Sequence, residues 1–380
     1  MQNFEFITPS KIVFGAGKLA EAGTLVAPLG KKALIVCDEW TAGSGLAKRL
    51  ADILDTAGVA SAIYSGVIPN PTSTLIDAGA EVASREGCDF VIGLGGGSSM
   101  DAAKGIAVAV THDGPIWDYA IGNKEITPDV LPIVAVTTTS GTGSQCTIFS
   151  VITNPETHQK PGMGSPFIMP KLALIDPELM LTAPKQLTAE TGFDVFSHAV
   201  EAYTSVIASE LSDMYAEKAL TLTGKYLKIC YDDGRNLEAR AAMALADTCA
   251  GVAICNAVVT LAHVMAHVIS GHFGDIPHGD ALQCIYREVL RFNSQALPEK
   301  HRFIANAIDP GNDDVASAYD AFFSQFSFRN LLKQKYQADP AIIDTIAEET
   351  FTYMAAITEL NPVAATVADA KAILAASMKG

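Results

Sequence analysis

The stretch Val91-Ile92-Gly93-Leu94-Gly95-Gly96-Gly97-Ser98-Ser99-Met100-Asp101-Ala102-Ala103-Lys104 decides the fold. It runs from an apolar segment, through clustered glycines, into an Ala-rich segment, the order of a strand, a tight turn and a helix. Glycines let a backbone approach a pyrophosphate closely. The unpaired N–H groups of a helix start add donors and the positive end of a dipole. Ser98 stands where a dinucleotide fingerprint would carry its last glycine, so the turn by itself fits either a phosphate cradle or a plain strand–helix junction.

Working outward, residues 32–37, 60–64, 90–94 and 133–137 have the β-branched, apolar composition of buried strands, and residues 45–57 and 75–86 between them have amphipathic helical patterns. Strands separated by stretches too long for hairpins form parallel crossover units, and hence an open α/β sheet covered on both faces. Ligands of such sheets bind beyond the carboxyl ends of the strands. Two further features fall at those ends. The loop Thr137-Thr138-Thr139-Ser140-Gly141-Thr142-Gly143-Ser144 offers hydroxyls and a flexible backbone, which serve a ligand or cap a helix. Asp38, directly after a strand, either accepts hydrogen bonds from an adenosine ribose while repelling a 2′-phosphate, or caps a helix. Strand-like runs stop near Leu187, and helical patterns continue from Thr191 to the C-terminus, broken at Asp232-Asp233-Gly234 and Asp309-Pro310-Gly311. Two domains are expected, residues 1–187 α/β and residues 188–380 all-helical.

Composition narrows the function. With 49% hydrophobic and 18% charged residues the whole chain is expected to fold. The 42 acidic against 26 basic residues, a net charge of −16, argue against nucleic acid and anionic membrane surfaces as partners. Seven dispersed cysteines without a Cys-x-x-Cys pair argue against disulfides and thiolate zinc, and suit a reducing compartment. No signal peptide and no membrane-length apolar run is read, so a cytoplasmic location is expected.

Four of the eight histidines, His263, His267, His272 and His278, fall within sixteen residues. A fifth, His198, follows Asp194 by four, which puts the pair on one helical face, and the same spacing aligns His263 with His267. Carboxylate plus imidazole suits a borderline divalent metal such as Fe(II) or Zn(II). The apolar stretch 250–266 makes several buried imidazoles costly without such a partner. His112, His158 and His301 read as ordinary loop or surface residues. No Lys or Arg occurs between Arg240 and Arg287, which favours a small neutral substrate over a phosphorylated one.

At this point the sequence resembles the iron-containing (group III) alcohol dehydrogenases over nearly its whole length. The resemblance is carried by Phe14-Gly15-Ala16-Gly17, Pro69-Asn70-Pro71-Thr72, Gly95-Gly96-Gly97-Ser98, Thr138-Thr139 with Gly141-Thr142-Gly143-Ser144, and Leu174-Ile175-Asp176-Pro177. It extends through Thr191-Gly192-Phe193-Asp194, His198-Ala199-Val200-Glu201-Ala202-Tyr203, His263-x-x-Ala266-His267 and Pro277-His278-Gly279. It implies a Rossmann-like dinucleotide-binding domain followed by an all-α metal-binding domain, the dehydroquinate synthase-like architecture, with a catalytic cleft between them and at least a dimer in solution. It also implies Asp194, His198, His263 and His278 as metal ligands and His267 as a proton-relay residue beside the nicotinamide. Cofactor contacts are implied at Asp38, Asn70, Gly96, Gly97, Ser98, Thr138, Thr139, Thr147, Phe149, Lys160 and Leu179, with NAD preferred through Asp38. Gln145 and Cys146 depart from the usual Glu and Val, and the His267–His278 spacing is one residue longer than is common, which leaves His272 as the alternative to His278. The expected reaction is reversible hydride transfer between a small primary alcohol or diol and its aldehyde. The competing reading is an NAD- and metal-dependent lyase of the dehydroquinate synthase type.

Overall fold

The computed structural model describes residues 3–8 and 11–379. The chain forms two compact units, one spanning Thr8–Leu181 and the other made of residues up to Ile7 together with Thr182 onwards.

The first unit is built on a six-stranded, wholly parallel sheet. Its strands are β1 (Ile12–Phe14), β2 (Lys32–Asp38), β3 (Ala60–Val67), β4 (Phe90–Gly95), β5 (Ile133–Thr137) and β8 (Leu172–Ile175), in the order β1-β8-β5-β4-β2-β3. A small antiparallel pair, β6 (Phe149–Val151) and β7 (Gly162–Gly164), lies between β5 and β8 in the chain. Register puts Ile35, Ile92, Val134 and Leu172 in one row across four strands, all in a single buried cluster. Leu34, Val91 and Ile133 form the next row and belong to the cluster on the opposite face. Burial on both faces explains why the central strands read as continuous apolar runs. The expectation of a buried strand over residues 60–64 is corrected: β3 is a sheet edge, and its residues before Val67 are half-buried or exposed.

The longer helices that follow strands in this unit are α1 (Leu46–Thr56), α2 (Ser73–Glu86) and α3 (Gly97–Ala109). Thr72 caps α2 through a bond accepted from the Leu75 N–H, and Gly87, at φ 65°, ends it in the left-handed conformation. From β2 the chain moves outward to β3, then crosses back so that β4 lies on the other side of β2. The carboxyl ends of β2 and β4 therefore form the topological switch point, where ligands of open α/β sheets bind.

From Thr182 onwards the described residues contain no strand. The main helices are α4 (Lys185–Thr204), α5 (Glu210–Asp232), α6 (Leu237–Ala257), α7 (Leu261–His272), α8 (His278–Asn293), α9 (Pro298–Ile308), α10 (Val315–Phe323), α11 (Leu331–Ala338), α12 (Ile342–Tyr353) and α13 (Val367–Ser377). Helix α4 is buried on every side from Gly192 to Thr204, as expected of the central helix of a bundle. Phe193 and Phe196 pack it against Tyr286, Tyr319 and Phe323, with ring centroids 4.8–6.5 Å apart. No single described helix is long and apolar enough to cross a membrane, and the apolar α6 and α7 turn by 102° at the break between them. Val258 makes that break at φ 60°, a conformation a β-branched residue rarely adopts, so the surrounding packing must hold it. His301, expected at the surface, is buried on α9, where its Nδ1 lies 2.9 Å from the Leu297 carbonyl. A position within a helix, not in a loop, accounts for it.

Candidate active site

Two consecutive turns of α4 carry Asp194 and His198, the first turn of α7 carries His263, and α8 starts at His278. The Nε2 atoms of His263, His198 and His278 lie 3.4, 3.6 and 3.7 Å from one atom, Asp194 Oδ1. Donor atoms of Asp194, His263 and His278 all fall within 4.8 Å of one another, and the His198 ring stacks on that of His263 at 4.6 Å. Burial favours a protonated Asp194, but the facing imidazoles outweigh it and hold the carboxyl well below the usual carboxylate range. Three imidazole nitrogens and one ionised carboxylate converging on a single point are the donor set of a borderline divalent cation, and these residues fit one.

Glu201 sets the orientation of His263. It is buried on α4, and its Oε1 lies 2.6 Å from His263 Nδ1. Its Oε2 accepts the Thr260 N–H at 2.6 Å, the Thr260 hydroxyl at 3.0 Å and the His263 N–H at 3.4 Å. One carboxylate thus serves the start of α7, whose own cap residue Thr260 makes no capping bond, and also holds a proton on Nδ1. In the neutral ring that leaves the lone pair on Nε2, the nitrogen on the Asp194 side, for a metal. Burial alone would lower the His263 pKa, but Glu201 and Asp194 lift it to about 9.

The remaining histidines separate. His267 is half-buried, one turn after His263, with its ring 5.3 Å from that of His278. His272, the alternative ligand, ends α7 with its Nε2 2.6 Å from Glu349 Oε2, so the structure groups His278 with Asp194 and leaves His272 hydrogen-bonded to Glu349 at the surface. Near His278, Arg329 reaches Asp280 at 3.2 Å and Glu190 at 3.7 Å. The cation-free stretch therefore receives a guanidinium from elsewhere in the chain, but that guanidinium faces two carboxylates.

The cofactor candidates gather at the switch point of the sheet. Gly95 ends β4 at φ 150°, and a Cβ there would sit 2.4 Å from Ser99 Oγ. The Gly95 carbonyl accepts the Thr138 N–H at 3.0 Å, while Cβ atoms on Gly96 and Gly97 would meet Thr139 Oγ1 at 3.2 Å and Thr142 Cγ2 at 2.4 Å. The two loops read from the sequence are thus in contact, and Gly96, Gly97, Ser98, Thr138 and Thr139 share one ledge. Asp38 ends β2 beside them, its Oδ2 3.6 Å from the Cβ position of Gly95. It is a helix cap: it accepts the Thr41 N–H at 2.7 Å and the Thr41 hydroxyl at 3.0 Å. A carboxylate has about four acceptor sites, so capping leaves capacity for a ribose hydroxyl. Asn70, at φ 55°, turns the chain in the left-handed region that Asn tolerates, and its loop is tied to Thr153 by the Thr153 N–H to Pro71 carbonyl bond of 2.9 Å. Thr147 is buried, and Phe149, Lys160 and Leu179 are half-buried. Glu201 and Lys104, both buried, are residues that sequence reasoning did not single out for the site.

Residues 9–177 match the family described as iron-containing alcohol dehydrogenase, and residues 188–378 match the C-terminal family of the Fe-containing alcohol dehydrogenases. The chain belongs to the iron-containing alcohol dehydrogenases. Among relatives of this family, the 1,3-propanediol dehydrogenase of Klebsiella pneumoniae is 40% identical over 305 residues, covering 80% of this chain and 78% of that protein. The NAD-dependent methanol dehydrogenase of Bacillus methanolicus is 37% identical over 319 residues, covering 84% and 83%. The crystal structure of a 1,3-propanediol oxidoreductase superposes with a TM-score of 0.92 at 34% identity, covering 99% of this chain and 100% of that one. As in that family, an α/β unit with a parallel sheet is joined to a helical unit, and the chain is an oxidoreductase. Membership does not favour the lyase reading.

Proposed function

We propose that this iron-containing family member is an NAD-dependent dehydrogenase that interconverts a small primary alcohol or diol and its aldehyde, with Fe(II) as its working metal and Zn(II) as a possible substitute. The observation that carries the reading is the convergence of three Nε2 atoms on Asp194 Oδ1. When bound, the divalent ion supplies Lewis acidity that makes an alcohol proton easier to lose, and the nicotinamide supplies the hydride acceptor. The chain does the rest. Asp194, His198, His263 and His278 hold the metal, and Glu201 keeps the Nδ1 proton of His263 in place so that its Nε2 stays available. His267 is the candidate to take up the released proton and pass it to solvent.

Gly96, Gly97 and Ser98 are the candidate pyrophosphate contacts at the N-terminus of α3. Asp38 favours NAD over NADP by repelling a 2′-phosphate. Asn70, Thr138, Thr139, Thr147, Phe149, Lys160 and Leu179 complete the cofactor set. We further infer a homo-oligomer, a dimer or larger, in a reducing cytoplasm; seven buried cysteines, with no disulfide among the described residues, support the latter. The test is metal analysis of the purified protein together with an NAD+-linked screen of C2 to C6 alcohols, diols and aldehydes. Steady growth of NADH absorbance with a simple alcohol supports the proposal. NAD+ binding without product across the whole panel contradicts it.

A further inference from the structure

Lys104 lies two turns into α3, seven residues beyond Gly97, and its side chain is wholly buried. Lysine is among the residues most rarely found so. Its Nζ donates toward five oxygens of one segment: the Ser144 carbonyl at 2.8 Å, Ser144 Oγ at 2.9 Å, the Thr147 carbonyl at 3.0 Å, Thr147 Oγ1 at 3.2 Å and the Phe149 carbonyl at 2.6 Å. An ammonium has three N–H bonds, so five oxygens at this range are held by its charge as well as by directed bonds.

Asp101, one turn earlier on the same helix, supplies the balancing charge and a second set of ties. Its Oδ1 accepts the Ser144 hydroxyl at 2.7 Å and its Oδ2 the Val151 N–H at 2.9 Å, while its backbone carbonyl accepts the Ser150 hydroxyl at 2.9 Å. Helix α3 begins at the glycine turn, and residues 144–151 contain Thr147 and Phe149. Both are parts of the cofactor cradle. The ends of β4 and β5 already fix the turn and the loop near Thr138. Residues 144–149, a single 3-10 turn running into the three-residue β6, have little regular pairing of their own.

We propose that Lys104, charge-balanced by Asp101, is a positioning residue for the dinucleotide: it fixes Thr147 and Phe149 in place relative to the Gly95–Gly97 turn. This rests on the cofactor reading above and extends it to a residue that does not touch the cofactor. Loss of the ammonium frees three carbonyls and lets the segment drift. The defect then falls on cofactor affinity, and the chemical step of the fully loaded enzyme is spared.

The experiment compares the metal-loaded parent enzyme with Lys104→Met. It measures NAD+ affinity by calorimetry, KM for NAD+ and kcat at saturating NAD+ separately, and metal content. The expected result is a rise of tenfold or more in both Kd and KM for NAD+, with kcat within threefold and metal content unchanged. A folded Lys104→Met enzyme whose NAD+ affinity lies within twofold of the parent overturns the proposal. If that variant does not fold, Ser144→Ala decides. It removes only the hydroxyl that joins both charges, and a three- to tenfold weaker NAD+ affinity supports the proposal while an unchanged one overturns it. Failure of the parent itself to bind NAD+ would overturn the cofactor reading and the proposal together. Binding by the parent with unchanged variants overturns the proposal alone.

Discussion

Glu201 receives three donors on one oxygen and the His263 Nδ1 proton on the other. Glutamine keeps the shape but replaces one acceptor oxygen with an NH2 group, which only donates, so the side chain can no longer accept from both Thr260 and His263. Glu201→Gln should therefore weaken divalent-metal binding by about 10- to 100-fold, the usual cost of losing the outer partner of a ligating histidine. Chelator competition measures this directly, and an unchanged metal affinity would remove Glu201 from the site. His272→Ala should leave metal affinity untouched, because that imidazole pairs with Glu349 at the surface. Sequence spacing could group Asp194 with His198 and His263 with His267, since each pair shares one helix. The partnership of Glu201 with α7 spans 59 to 62 positions, so no local pattern discloses it. Lys104 was equally hidden: a lysine on an Ala-rich helix reads as solvent-facing until the segment 144–149 is folded over it.

Helix α8 must lie close to α4 for His278 to approach Asp194, and Gly279 permits it. A Cβ at position 279 would meet the Glu190 carbonyl oxygen at 2.6 Å, Cα at 2.8 Å and carbonyl carbon at 2.9 Å, all backbone atoms. Gly279→Ala should therefore push the start of α8 away from α4, lowering both thermal stability and metal affinity. Gly224 gives the control. Its Cβ would sit 1.9 Å from the Ala307 carbonyl oxygen where α5 crosses α9. Gly224→Ala should cost about 1–3 kcal/mol, the range for overpacking, with metal affinity unchanged in the folded fraction. Denaturant unfolding and metal titration on the two variants separate these outcomes. At this scale the central strands β2, β4 and β5 were legible because burial on both faces leaves an unbroken apolar run. The three residues of β1 and four of β8 are too short to carry a pattern, and their pairing joins positions more than 150 apart. The edge position of β3 was not legible either, since Ile63 and Tyr64 look like core residues although Ile63 is exposed and Tyr64 only half-buried.

The candidate cofactor residues all belong to Thr8–Leu181, and the candidate metal ligands all belong to the other unit. Removing the metal with a chelator should therefore abolish turnover while leaving NAD+ affinity within about threefold of the loaded enzyme, and His263→Ala should behave in the same way. Metal present at 1,000 times its Kd should add roughly 4 kcal/mol to stability through mass action, which raises the thermal midpoint on reloading. The change from alternating strands and helices to helices alone was plain in the sequence. The residues up to Ile7 were not: they group with the helical unit through bonds between Ile7 and Asn256, of 2.6 Å from the Ile7 N–H and 2.9 Å to its carbonyl, 249 positions apart. The most direct test of the whole account is the anomalous X-ray signal of a metal-loaded crystal, recorded on both sides of the iron absorption edge. The account predicts one strong peak about 2.0–2.2 Å from Asp194 and from the Nε2 atoms of His198, His263 and His278. A peak bound instead through His272, or those four side chains intact around no peak at all in an active enzyme, would contradict it.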